Sequence, residues 1–122
     1  MTAGLYDFKI EQGASFKKTI TLPAEFSLDG CKARLQIRRY ALKPDPTLAT
    51  WTTENGHITL DNTAHTVTIV VTAADTAALS SADSTPQTTV PFGVYDLEIV
   101  YPDGVVTRLL QGSVNLSLEV TR

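Results

Sequence analysis

Two histidines, His57 and His65, bracket the apolar stretch Ile58 to Leu60, with Asp61 beside it. A zinc site needs several well-placed nitrogen, sulfur or oxygen donors. This spacing matches no zinc pattern, and its ordinary reading is a pair of turn histidines in water. Asp96 and Glu98 come next, because paired carboxylates can serve as general acid and base. Two positions apart on an extended chain, they share one face of a strand. Their expected role is a solvated face that meets Arg34 and Arg38 from a neighbouring strand. No nucleophile elbow is present, and no glycine loop precedes a helix to cradle phosphate. Nothing assembles a nucleophile, a base and an orienting group, so the expectation is a non-enzymatic protein without cofactor or metal. A small hydrolase is the rival reading.

Lys32, Arg34, Arg38 and Arg39 form a basic group. Nucleic-acid binding would need more basic residues and stacking aromatics, so a cross-strand charge ladder is the preferred reading. The net charge of −3 also argues against a duplex binder, which needs a positive field. Trp51 is either the core aromatic of the fold or an exposed anchor for a sugar or protein partner. The polar run Ser80 to Pro91 is expected to be a long exposed loop, mobile alone and ordered on assembly. Trp51, Ser81, Asp83, Thr85, Gln87 and Thr88 are therefore the candidate partner contacts.

These residues need a frame to hold them. The chain has 122 residues, 43% of them hydrophobic and 19% charged, which suits one domain with a real core. Cys31 is the single cysteine, so an intrachain disulfide is impossible. Met1 to Gln12 carries no apolar run of the signal-peptide kind, and no stretch has the length of a membrane helix. The expectation is a soluble protein, folded in the cytoplasm where it is made, with no membrane partner.

Period-two alternation sets the elements. It is strongest at Gly93 to Tyr101, where Tyr95, Leu97, Ile99 and Tyr101 face one way and Asp96 and Glu98 the other. Pro102-Asp103-Gly104 turns that strand into a hairpin with Val105 to Thr121. Leu5 to Glu11 and Phe16 to Leu22 read as a first hairpin, or as strands of different sheets. Lys18 interrupts the second stripe and is expected at a rim. Lys32 to Tyr40 is a strand with Ala33, Leu35 and Ile37 inward. Lys43 to Pro46 is a loop, and Leu48 to Thr53 a short strand. Asn55-Gly56 is the strongest two-residue hairpin signal, with Ile58 to Leu60 expected to pair back across it. Thr66 to Thr72 is a further strand. Thr72 to Leu79 is the one helical candidate, with Thr72 as its cap. Gly112 predicts a bend in the last strand, with a passage from one sheet to the other. Seven or eight short strands with turns between them predict an all-β sandwich as a single domain over residues 1–122.

Several segments carry a resemblance: Gln12-Gly13, Leu28 to Arg38, Asn55-Gly56-His57-Ile58, Val67-Thr68-Ile69, Ala73 to Leu79, Gly93 to Glu98, Asp103-Gly104 and Leu110-Gln111-Gly112. Together they resemble small tailed-bacteriophage virion proteins with an immunoglobulin-like β-sandwich, and in particular the N-terminal domains of phage baseplate upper proteins. The long Ser80 to Pro91 segment departs from that pattern, and the chain stops at Arg122 where such proteins continue. The resemblance implies a structural or adaptor protein, present in many copies, docking on the head, neck, tail or baseplate of a virion made in the host cytoplasm. Its partners would be other phage structural proteins, met by shape-complementary packing and β-edge contacts. The alternative is a carbohydrate- or receptor-binding module of a phage adhesion device, using Trp51 and the polar loop.

Overall fold

A computed structural model describes residues 3–41, 47–79 and 89–120. The described elements run β1 (Gly4–Leu5), β2 (Phe8–Glu11), β3 (Phe16–Thr21), β4 (Lys32–Arg38), β5 (Thr47–Thr52), β6 (Ile58–Asp61), β7 (Thr66–Val71), α1 (Ala73–Ala77), β8 (Thr89–Val100) and β9 (Val106–Ser117). The fold is all-β with one short helix, as expected, and the two-residue β1 brings the described strands to nine. The larger sheet is ordered β1-β9-β8-β4-β5, with β2 pairing the same strand as β1; the smaller is β3-β7-β6.

The best-alternating stretch lies in the middle of the large sheet. Along β8, Tyr95, Leu97 and Ile99 are buried, while Asp96 and Glu98 sit between them on the wetter face. The β8–β9 hairpin closes as its turn residues require. Gly104 has φ +89°, its N–H reaches the Tyr101 carbonyl, and the Asp103 carboxylate accepts from the Val105 N–H. The inner faces of both sheets share one core, which joins Leu35, Ile37 and Leu97 of the large sheet to Val67, Ile69 and Val71 of the small one. Phe8 links the layers, stacked 4.1 Å from Tyr95 and 5.3 Å from Phe16. Thr72 caps α1 by accepting from the Asp75 N–H.

Two turns cross between the sheets instead of closing a hairpin, and one strand stays in its sheet where a crossing was expected. β2 and β3 lie in different sheets, the second of the two arrangements left open above. The crossing is held by Thr76, whose buried hydroxyl donates to the Ala14 carbonyl and accepts from the Gly13 N–H. Asn55-Gly56 also makes no hairpin, because β5 belongs to the large sheet and β6 to the small. A type I′ turn needs two positive-φ residues. Here Gly56 has φ +84°, but among the described non-glycine residues only His65 is positive. The Asn55 side chain is instead committed to β5, accepting from Thr52 N–H and donating to the Thr50 carbonyl. Finally, β9 does not change sheets at Gly112, since it pairs with β8 on both sides of that residue. Gly112 is small because the Tyr6 carbonyl occupies the space a Cβ would take. The segment read as a loop to Pro91 ends earlier, because Thr89 and Pro91 pair with Ser117 and Asn115 in the strand.

Candidate functional site

The outer face of the large sheet gathers most of the chemistry-bearing residues. Register alone aligns Arg34, Glu98 and Arg108 in one row across β4, β8 and β9, and Gln36, Asp96 and Gln111 in the next. The middle strand thus carries the acids and the flanking strands the arginines. Arg34 Nε lies 2.8 Å from Glu98 Oε1, and Arg108 Nε lies 3.6 Å from Asp96 Oδ2. Arg108 also donates to Gln111 Oε1, and Arg38 to Gln36 Oε1, both at 3.1 Å. The expected meeting of β4 arginines with β8 carboxylates is therefore present for Arg34 and Glu98. Arg108 on β9 takes Asp96, a partner that sequence reasoning missed.

The reason for that miss is a bulge. Leu97 pairs with Leu110 but Glu98 with Arg108, leaving Leu109 as an extra residue. Leu109 and Leu110 consequently both turn apolar surface to the core, and the alternation before Gly112 reverses. The Leu109-Leu110 doublet was the available signal.

An open groove of about 660 Å³ runs along this face, with Asp7, Arg38, Asp96, Arg108 and Ser113 among its walls. Asp7 sits where β1 ends and β2 begins, and its carboxylate accepts from both the N–H and the hydroxyl of Ser113. The Ser113 backbone N–H, and then its hydroxyl, hold the Asp7 carboxyl below the usual range. Asp96 moves the other way. Burial pushes its carboxyl up, the Glu98 charge adds to that, and Arg108, Arg34 and Arg38 oppose it. Behind the groove, Tyr95 donates to the Tyr6 carbonyl at 2.6 Å. Burial, then the Asp7 and Tyr6 charges, push that phenol well above its ordinary value. The face is a cross-strand charge ladder, exposed enough that each pair contributes only about 0.2–1 kcal/mol. Arg34 lies against Glu98 and Arg108 against Asp96, where burial and the Glu98 charge outweigh the arginines.

The other sequence candidates fall elsewhere. Trp51 is 4% exposed, with its ring 6.1 Å from that of Phe16, so it is the core aromatic and offers no surface anchor. His57 and His65 are half-buried rather than standing in water. The His57 ring nitrogens face the Val70 carbonyl and the Asp75 carboxylate, and His65 Nδ1 faces the Phe26 carbonyl. Asp61 turns away from both, accepting from the Thr63 and Ala64 N–H groups. Among the described residues no three His, Cys, Asp or Glu side chains converge as a metal set. Lys18 lies over the Tyr6 ring at 3.9 Å, half-buried at the margin of the small sheet. Ser81, Asp83, Thr85, Gln87 and Thr88 lie outside the described residues, as does the predicted Lys43 to Pro46 loop.

No family model matches this sequence, and no curated protein is significantly similar to it. No described helix is long and apolar enough to cross a membrane.

Proposed function

We propose that this chain is a non-enzymatic structural or adaptor protein of a tailed-bacteriophage virion, with an immunoglobulin-like sandwich, docking in many copies on the head, neck, tail or baseplate. The sequence resemblance supplies the phage assignment. The observation that carries the structural role is the ladder on the large sheet, where Arg108 lies against Asp96 and Arg34 against Glu98 in cross-strand pairs. The polar segment with Ser81, Asp83, Thr85, Gln87 and Thr88 is the proposed partner contact, on the strength of its length and composition.

The free edges favour docking through faces and ends over strand addition. β3 carries Lys17 and Lys18, β2 carries Lys9 and Glu11, and β6 is four residues long and ends in Asp61. β5 has no charge, but Leu48 is the extra residue of a bulge and Asn55 plugs Thr50 and Thr52. The glycan-binding alternative loses its stacking ring, since Trp51 is buried. Mass spectrometry of gradient-purified virions tests the proposal. The chain should co-purify with the particles in a stoichiometry of many copies, and its absence from them would refute the reading.

A further inference from the structure

Negative charge is concentrated at the end of the sandwich where β4 begins and β8 hands over to β9. The segments that meet there hold Glu25, Asp29, Glu54, Asp61 and Asp103 against the ammonium of Lys32, while the whole chain carries only −3. Lys32 is committed to Glu54 at 3.5 Å. Glu25, Asp29 and Asp103 make no ion pair among the described residues. All three border an open hollow of about 520 Å³, which no Lys or Arg lines. Asp29 and Asp103 also act on Cys31 beside it, whose thiol is pushed up by burial and then by those two charges.

The floor of the hollow is apolar. Phe26 and Tyr101 are half-buried against the core, and Val105 is 55% exposed. Its walls are fixed by the chain itself. The Phe26 N–H donates to the Pro23 carbonyl, the Phe26 carbonyl faces His65 Nδ1, and the Leu28 N–H donates to Asn62 Oδ1. The Pro102 side chain fills the space that a Cβ on Gly30 would take, so the two loops close on each other. Asp103 holds the opposite wall through the Val105 N–H. A hollow built this way costs little ordering when it is filled.

We infer that this hollow docks a lysine- or arginine-bearing segment of another polypeptide. The aliphatic stem of such a side chain lies on the apolar floor while its charged head meets the rim. The two aromatic residues favour the same cation. A bare metal ion suits the site less well, because no three carboxylates converge on one point among the described residues. A second copy also suits it less well. Lys32, Arg34 and Arg108 face Glu54, Glu98 and Asp96, Lys18 lies over Tyr6, and Lys17 sits one turn from Glu11, with Glu119 beside that turn. A partner with unpaired cations is the complement, and the field steers it in. The inference rests on this end of the molecule and holds whatever particle the chain belongs to.

NMR titration of the full chain at about 0.1 M salt, where the screening length is roughly 10 Å, provides the test. The probe is a capped peptide of alternating arginine and alanine, and its citrulline analogue keeps the side-chain length without the charge. The arginine peptide should shift the amides of Asp29, Gly104 and Val105 saturably, and the citrulline peptide should not. Glu25→Gln with Asp29→Asn should weaken binding roughly fivefold or more, with Asp103 left in place because it holds the turn. Glu11→Gln with Glu119→Gln removes the same charge at the far end and should stay within about twofold of wild type. Val105→Ser leaves the charge unchanged and should weaken binding about threefold, because it takes apolar surface from the floor. Equal weakening by the two double variants overturns the inference, since the attraction is then diffuse. Binding of the citrulline peptide overturns it too. So does displacement of the peptide by Ca²⁺ at the same amides, which makes the hollow a metal site. Shifts of those amides on concentrating the chain alone overturn it in favour of a second copy.

Discussion

Tyr95→Phe isolates the hydrogen bond that ties the first strands to the large sheet. The ring is buried and stacked 4.1 Å from Phe8, and phenylalanine keeps that packing and nearly all of its volume. What disappears is the 2.6 Å bond to the Tyr6 carbonyl. A net hydrogen bond contributes about 0.5–1.5 kcal/mol, and stranding a part-buried acceptor adds to the loss, so about 1–2 kcal/mol is expected. For a domain of this size that lowers Tm by roughly 3–10 °C. Trp51 is the only tryptophan and is buried, so its fluorescence reports urea unfolding directly. Tyr6→Phe is the control. It leaves the carbonyl untouched and should stay within about 0.5 kcal/mol of wild type. Hydrogen exchange adds a local readout, because the Tyr6 N–H bonded to the Gln111 carbonyl should lose protection first. A Tyr95→Phe variant as stable as wild type, with that amide still protected, would refute the reasoning.

Other outcomes follow from the same geometry. Gly112→Ala places a methyl group against the Tyr6 carbonyl, and a loss of about 2 kcal/mol or more is expected in urea unfolding. Arg34→Glu and Glu98→Arg should each cost about 0.2–1 kcal/mol, with the double reversal nearly neutral, because the pair is largely solvent-screened. Asn55→Ala removes the plug on β5, so it should lower Tm and raise concentration-dependent aggregation seen by light scattering. In an NMR carboxyl titration Asp7 should protonate below, and Asp96 above, an ordinary aspartate. The stability that Asp7 contributes is present above its unfolded pKa and lost as pH falls through its lower folded value. The raised Asp96 contributes below its unfolded pKa, and that contribution is lost as pH rises through the folded value. Asp96→Asn should therefore be neutral or stabilising at neutral pH.

The strand pattern was legible because burial on one face leaves a period-two trace, as in Tyr95, Leu97 and Ile99. The terminal hairpin was legible because Asp103-Gly104 does local turn chemistry. Sheet membership was not, because a turn sequence specifies a backbone path and not which partner lies beyond it. Asn55-Gly56 has the composition of a hairpin, yet the Asn55 amide is spent on β5 and the chain crosses to the other layer. Gly112 likewise announced a special position, but only the arrival of Tyr6 from the far end of the chain says why. Half of the ladder was readable from β4 and β8 parity. The Arg108 half was hidden by the Leu109 bulge, which shifts parity without a glycine or proline to mark it.

Electron cryomicroscopy of the purified phage particles is the most direct test of the proposed virion role. The account predicts repeated, symmetry-related density into which the six- and three-stranded sheets fit as a rigid body. Particles whose density is fully assigned to other chains, with this protein found only in the soluble lysate, would contradict it.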